Sequence, residues 1–124
     1  MLDPATGDLS YANAGHPPPL ITAGAGHAEY LDDAPGTMLG ASAGITFTAG
    51  RRTLRPGTRL LFYTDGLIED RNRDITDGLT ILAETLRRSG AGPAAQTCAA
   101  VDAALLGSAR RHDDVCLLTA RLTG

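Results

Sequence analysis

The fold of this chain is decided by one stretch, Leu54-Arg55-Pro56-Gly57-Thr58-Arg59-Leu60-Leu61-Phe62-Tyr63-Thr64-Asp65-Gly66-Leu67-Ile68-Glu69. Within it, Arg55-Pro56-Gly57 has the composition of a tight turn, and the apolar run that follows predicts a buried central strand from Arg59 to Thr64. The strand is expected to stop at Asp65-Gly66, because a carboxylate is costly inside an apolar sheet and glycine allows the backbone to leave sharply. We interpret Phe62 and Tyr63 as core residues.

Upstream of this strand, the sequence has the pattern of short strands separated by turns. Glycine and proline clusters divide it into apolar runs, which are Leu9 to Ala14, Leu20 to Ala23 and Ala28 to Leu31. A fourth run, Ile45 to Leu54, alternates loosely between apolar and polar residues. The first three runs predict an antiparallel meander in the first third of the chain.

Downstream of the strand, the apolar residues recur at helical spacing. One predicted helix buries a stripe of Ile75, Leu79, Leu82 and Leu86, and ends near Arg87-Arg88 and Gly90. A second opens at Pro93 and buries a stripe of Ala94, Cys98, Val101 and Leu105. A last apolar run, Val115 to Leu122, predicts another strand.

The composition limits the classes of protein to which the chain can belong. With 124 residues, 43% of them hydrophobic and 20% charged, it is long enough for one folded domain. A net charge of −3 with scattered basic residues gives no reason to expect a nucleic acid partner. No apolar run is long enough to cross a membrane, and Met1 to Pro4 lacks an export leader, so we expect a cytoplasmic location.

Cys98 and Cys116 are expected to be buried free thiols.

Carboxylates occur at the polar ends of two predicted strands. Asp65 ends one strand, and Asp113-Asp114 begins another. If the strands are antiparallel neighbours, the carboxylates meet at one edge of the sheet, where two charges about 4 Å apart repel by roughly 4 kcal/mol at an effective dielectric constant of 20. A divalent cation removes that repulsion, and carboxylates suit Mg²⁺ or Mn²⁺. Spacing alone leaves two alternatives open, since Asp-Gly is also an ordinary turn and Asp also caps helices.

Four motifs in this order resemble a known family. They are Tyr11-Ala12-Asn13-Ala14-Gly15-His16-Pro17-Pro18-Pro19-Leu20, then Met38-Leu39-Gly40 where Pro-Leu-Gly is usual, then the Leu54 to Glu69 stretch, and last Asp113-Asp114-Val115-Cys116-Leu117-Leu118. Together they resemble the sporulation stage II protein E-like, PPM-type serine/threonine protein phosphatase domain. The resemblance runs from about Leu2 to Leu122.

The resemblance implies a fold, a chemistry and a substrate class. The fold would be α+β, part of a four-layer α/β/β/α sandwich of antiparallel sheets. Two Mn²⁺ or Mg²⁺ ions would be held mainly by aspartates, with Asp65 and Asp113 at matching positions and Asp114 as a further candidate. The reaction would use metal-activated water and no catalytic side chain of this chain. The substrates would be phosphoproteins of the anti-anti-sigma type.

The chain departs from the family by what it lacks upstream. No Gly-Asp-Val-x-Gly-His-Gly motif is present, so we expect residues 1–124 to form the C-terminal portion of a phosphatase domain whose N-terminal strands are missing. We expect the chain alone to bind Mn²⁺ weakly, to be inactive and to self-associate through an exposed sheet edge. The alternative is a non-catalytic, vestigial or interaction domain that keeps the scaffold.

Smaller departures and two histidines complete the sequence-based expectations. Thr58 replaces the usual Asp, and the usual Phe-Gly signature is reduced to Asp77-Gly78, a change that bears on helix docking. His16 is expected to cap backbone groups or pack on prolines in its turn, with a ligand role as the alternative. His112, beside Asp113, could either hydrogen-bond to a metal ligand without touching the metal or lie on the surface. Glu69 is expected to face solvent.

Overall fold

Six strands and three α-helices form the part of the chain that the computed structural model describes, which is residues 1–24, 26–89, 92–107 and 114–123. The strands are β1 (Asp8–Tyr11), β2 (Leu20–Thr22), β3 (Glu29–Tyr30), β4 (Gly50–Thr53), β5 (Arg59–Tyr63) and β6 (Leu117–Arg121). The helices are α1 (Asp65–Ile68), α2 (Ile75–Ser89) and α3 (Ala94–Val101), and a π-helical segment (Asp102–Leu106) follows α3 directly. None of the described helices is long and apolar enough to cross a membrane.

The strands form two antiparallel sheets. The larger sheet has the order β3-β2-β5-β6, so β5 has a neighbour on each side as expected for a central strand. Leu20 of β2 lies opposite Leu61, and Leu117 of β6 lies opposite Tyr63. β1 and β4 form the smaller sheet. Consequently the end of β5, the start of β6 and the start of β2 all lie at the same end of the larger sheet.

Two hydrophobic clusters hold the layers together. The cluster between the larger sheet and the helices is formed by buried side chains of Leu20, Leu61, Tyr63, Leu67, Ile68, Leu82, Ala83, Leu86, Val101 and Leu105. The cluster between the two sheets is formed by Leu9, Ile21, Leu31, Leu54, Leu60 and Leu122. Alternation along β5 explains this division, since Leu60 faces one cluster while Leu61 and Tyr63 face the other. The expected α+β class with antiparallel sheets is confirmed.

The predicted meander is only partly correct. β2 and β3 form a hairpin, but β1 pairs with β4 instead of β2, from Asp8 opposite Thr53 to Tyr11 opposite Gly50. The three prolines at 17–19 lack the N–H groups that a continuous β1–β2 ladder needs. Gly50 favours the observed pairing, because a Cβ atom at that position would overlap the Tyr11 ring.

Three further predictions need correction. Phe62 is 39% exposed instead of buried, and Leu118, its partner on β6, is 59% exposed, because the described residues leave that part of the sheet uncovered. Cys98 and Cys116 are free thiols as expected, but Cys98 is half-buried and Cys116 is exposed immediately before the edge strand β6. The second predicted helix passes into the π-helical segment after Val101, although Val101 and Leu105 are buried as expected.

Candidate metal centre

The ends of β5 and β6 are joined by the hydroxyl group of Thr64. Its Oγ1 donates a hydrogen bond to the carbonyl oxygen of Asp114 at 2.9 Å and accepts one from the N–H of Cys116 at 2.9 Å. The Thr64 N–H also donates to the Cys116 carbonyl oxygen at 3.1 Å. Asp65 and Asp114 are therefore attached to two strand ends that are fixed to each other, as expected for carboxylates at the ends of antiparallel neighbours.

Asp65 is the first residue of α1, and its side chain is exposed. Its Oδ1 atom accepts a hydrogen bond of 2.9 Å from the N–H of Gly66. Thr64 occupies the N-cap position with an extended backbone and makes no side-chain cap bond to α1. The reason is that its hydroxyl group is used between the strands. The N–H of Gly66 instead orients the carboxylate of Asp65.

The three predicted metal-ligating residues have different standing in the structure. Asp65 and Asp114 lie at the same sheet end, and both side chains are exposed. Asp113 and His112 lie outside the described residues, and the ligand role of all three aspartates stays a prediction. Glu69 is exposed, as expected, and its N–H donates to the Asp65 carbonyl oxygen at 2.9 Å to close the single turn of α1.

The loop that carries His16 lies at the same end of the sheet, because it leads into β2. Asn13 fixes this loop, with its Nδ2 donating to the His16 carbonyl oxygen at 2.6 Å and its Oδ1 accepting from the His16 N–H at 2.8 Å. The Nδ1 atom of His16 lies 3.1 Å from the Pro17 carbonyl oxygen. The expected contact of the imidazole with backbone groups of its turn is thus confirmed.

A buried tyrosine ties the same loop to β5. The hydroxyl group of Tyr63 donates to the Pro18 carbonyl oxygen at 2.7 Å, and that of Tyr30 donates to the Leu79 carbonyl oxygen at 2.6 Å. Burial raises the pKa of Tyr30 to about 12 and the pKa of Tyr63 well above its ordinary value. Both phenols therefore stay protonated at neutral pH and act as structural hydrogen-bond donors.

The donor atoms at this sheet end fit magnesium or manganese better than zinc. Asp65 and Asp114 offer carboxylate oxygens, which hard divalent cations prefer. Within residues 1–24, 26–89, 92–107 and 114–123, no group of three or more His, Cys, Asp or Glu side chains is close enough to hold a metal ion. What the described residues bring to this sheet end is the pair of carboxylates of Asp65 and Asp114.

Sequence reasoning found the carboxylates but missed the residues that position them. Thr64 immediately before an Asp-Gly pair is a usable signal, since Thr is common just before a helix begins. No sequence pattern indicates that its hydroxyl group both donates and accepts a hydrogen bond between the two strand ends. Asn13 carried a weak signal, because Asn side chains often bond to backbone groups a few residues away in turns.

Comparisons with known proteins identify what this arrangement resembles. The family model for Stage II sporulation protein E (SpoIIE) matches residues 1–123. The crystal structure of the RsbU and RsbW domains of Rv1364c from Mycobacterium tuberculosis is 32% identical, with a TM-score of 0.87 over 98% of this chain and 35% of that one. The PP2C phosphatase domain of SpoIIE from Bacillus subtilis, solved with a fragment of its regulatory domain, is 16% identical, with a TM-score of 0.72 over 94% of this chain and 35% of that one.

A curated relative is also similar over part of the chain. Protein IcfG from Synechocystis sp. is 36% identical over 72 residues, which are 58% of this chain and 11% of that protein. The chain therefore spans about a third of each of these two solved structures and a smaller share of IcfG. The likeness to the B. subtilis domain, at 16% identity, shows a shared fold alone.

Proposed function

Because this chain belongs to the Stage II sporulation protein E family of PP2C-type phosphatase domains, we propose that it is the C-terminal part of a metal-dependent protein serine/threonine phosphatase domain. The observation that carries the proposal is the junction of β5 and β6, where Thr64 fixes the two strand ends that bear Asp65 and Asp114. Asp65 and Asp113, with Asp114 as a further candidate, would hold Mn²⁺ or Mg²⁺.

The residues of the chain have defined tasks in this proposal. Bound ions of this kind supply activation of water for attack on phosphorus and compensation of negative charge on the phosphoryl oxygens. The Gly66 N–H holds Oδ1 of Asp65, which fixes the orientation of this carboxylate at the exposed sheet end. Thr64 keeps the two carboxylate-bearing segments in register, so that little reorganisation is needed when a cation binds.

The proposed substrates are phosphoserine- or phosphothreonine-bearing regulators of the anti-anti-sigma type. Support comes from the 32% identical structure, in which an RsbU domain shares one chain with an RsbW domain. The exposure of Asp65 and Asp114 also suits a reaction on a folded protein, because a phosphorylated side chain on a partner can reach an open edge. We propose that this chain acts in the cytoplasm, in the regulation of a sigma factor.

A non-catalytic interaction domain is the second candidate. One observation favours it, namely that the described residues contain no group of three potential metal ligands. In that case the chain would keep the scaffold and a weak cation site without turnover. The two candidates differ in whether a complete set of ligands forms when the upstream half of a family domain is supplied.

The test measures Mn²⁺-dependent phosphate release from a phosphoserine protein and from p-nitrophenyl phosphate. We expect no appreciable turnover by the 124-residue chain, and turnover by the same chain extended with the upstream half of a family domain. Asp65→Asn in the extended chain should abolish turnover, whereas Glu84→Gln, an exposed carboxylate on α2, should not change it.

Each result has a distinct meaning. Robust turnover by the 124-residue chain alone would contradict the partial domain. An unaffected Asp65→Asn variant would contradict the site. A folded extended chain that binds Mn²⁺ only weakly and shows no turnover would favour the interaction domain.

A further inference from the structure

The guanidinium group of Arg73 connects three backbone carbonyl groups from two separate segments. Its Nε donates to the Ile68 carbonyl oxygen at 3.2 Å, and its Nη2 donates to the Leu67 carbonyl oxygen at 3.2 Å. Its Nη1 donates to the Leu105 carbonyl oxygen at 3.1 Å. The side chain is only 15% exposed, so these bonds form in a partly desolvated setting where each matters more.

Asp70 holds Arg73 in this position. Its carboxylate forms an ion pair with Nη2 of Arg73 at 3.4 Å, and the two residues exchange backbone hydrogen bonds of 3.1 and 3.3 Å. The turn between α1 and α2 is therefore held together by an ion pair and two backbone hydrogen bonds between the same two residues. The guanidinium group has little freedom to leave the carbonyl groups of α1.

α1 depends on such external support. It has four residues, and a helix of one turn is not stable by itself because nucleation is unfavourable. The carbonyl groups of its last residues have no partner within the helix. Arg73 satisfies the carbonyl groups of Leu67 and Ile68, whose side chains are fully buried. Since Asp65 is the first residue of this single turn, it lies only about 5 Å along the helix axis from Ile68.

The third bond of Arg73 reaches the segment that leads to the other carboxylates. Leu105 lies in the π-helical segment, and the chain runs from there to Asp113-Asp114 and β6. One side chain thus ties the helix that begins with Asp65 to the segment from which the chain returns to Asp114. It does so without lying at the strand ends itself.

On the basis of the proposed function, we propose that Arg73 is a positioning residue of the metal centre, which sets the affinity for the cation by fixing α1 to the π-helical segment. Lysine cannot replace it, because a single ammonium group cannot reproduce the planar fork that bonds three carbonyl groups at once. A residue that only stabilised the fold would lower the melting temperature and leave the affinity of the folded protein unchanged.

The experiment measures Mn²⁺ binding to the 124-residue chain well below its melting temperature, by the electron paramagnetic resonance signal of free Mn²⁺. Broadening of the Gly66 amide signal in NMR spectra reports whether the bound ion lies near Asp65. We expect Arg73→Lys to raise the dissociation constant about tenfold, the size of effect seen when groups that orient metal ligands are removed. Arg71→Gln, an exposed arginine two residues away, should change it less than twofold.

Asp70→Asn provides a milder variant in case Arg73→Lys does not fold. It keeps the guanidinium group and weakens its orientation, so we expect a two- to threefold rise in the dissociation constant. Folded Arg73→Lys and Asp70→Asn variants that bind Mn²⁺ as the parent chain does, with the same broadening at Gly66, would overturn the inference while leaving the metal centre intact. Absence of Mn²⁺ binding by the parent chain and by the extended chain would overturn the proposed function together with the inference.

Discussion

Gly78 on α2 lies directly against α1, and replacing it by alanine should push the two helices apart. A Cβ atom built on Gly78 would overlap the carbonyl oxygen of Ile68 and lie 2.6 Å from its carbonyl carbon, where ordinary contact begins at 3.4 Å. The obstacle is backbone, so no rotamer change can relieve it. The helices would have to separate by more than about 0.8 Å, which is the shift that the carbonyl carbon alone requires, in a region where Ile68 also accepts a hydrogen bond from Arg73.

Two opposing contributions set the size of the effect. Glycine inside a helix costs about 1 kcal/mol relative to alanine, so Gly78→Ala would be stabilising if the space were open. Overpacking of a well-packed site costs about 1–3 kcal/mol, and backbone obstacles lie at the upper end of that range. We expect a net loss of about 1–2 kcal/mol. For a chain of this size, that lowers the melting temperature by roughly 3–10 °C.

The assay is thermal and urea unfolding of Gly78→Ala beside Thr76→Ala, combined with Mn²⁺ titration. Thr76 is exposed on the same helix, so alanine there should stabilise by about 0.5 kcal/mol at most through helix propensity. If Gly78→Ala were more stable than the parent chain by about 1 kcal/mol, helix propensity would prevail and the close approach of α1 and α2 would be refuted.

Three further outcomes are expected. Thr64→Val removes the hydroxyl group between β5 and β6 while keeping the shape of the side chain, so urea unfolding should show a loss of about 1 kcal/mol and Mn²⁺ titration a weaker affinity; unchanged values would contradict the role of Thr64. Hydrogen bonds from Tyr11 and Arg52 hold the pKa of Asp33 in the folded protein below its ordinary value of 3.8. These bonds therefore stabilise the folded state fully above pH 3.8, and this stabilisation is lost as the pH falls through the lowered pKa of Asp33. In the Asp33→Asn variant, the melting temperature should therefore fall less steeply as the pH is lowered below about 4. An unchanged pH dependence would contradict the stabilising role of the hydrogen bonds to Asp33. Exposed Phe62 and Leu118 should cause the 124-residue chain to self-associate, which light scattering detects, and a monodisperse monomer would show that the uncovered part of the sheet is tolerated.

The sequence was sufficient for the features that depend on local pattern. The apolar run before Asp65 predicted β5, and the helical spacing predicted that Leu82 and Leu86 of α2 are buried, although Ile75, the first residue of that stripe, is 43% exposed. The carboxylate at the strand end was visible because polar groups in an apolar run mark where burial stops. The sequence also indicated that Asp65 and Asp114 would share one sheet end if their strands were antiparallel neighbours, and β5 and β6 do pair in this way.

The features that depend on long-range pairing were not available from the sequence. β1 and β4 are separated by 38 intervening residues and find each other through the packing of Leu9 on Leu54 and through the space that Gly50 leaves for the Tyr11 ring. The exposure of Phe62 could not be read from its own run, because an apolar residue in a central strand looks the same whether or not its face is covered. The contacts of Arg73 lacked a signature, since an arginine in a turn of charged and polar residues is ordinary surface composition.

The position of Asp65 is therefore a property of packing around α1 more than of the Asp-Gly motif itself. Thr64, the residue before Asp65, is bonded to the segment that leads into β6. Gly78 allows α2 to lie against Ile68, and Arg73 donates hydrogen bonds to the last carbonyl groups of α1. This explains why the reduced signature at Asp77-Gly78 is compatible with the fold. Asp77 is exposed, and its N–H is capped by the Asp74 carboxylate at 3.0 Å, so an aromatic residue is not required there. Gly78 is the member of the pair that the geometry needs, because any Cβ atom at that position would meet the backbone of the helix that carries Asp65.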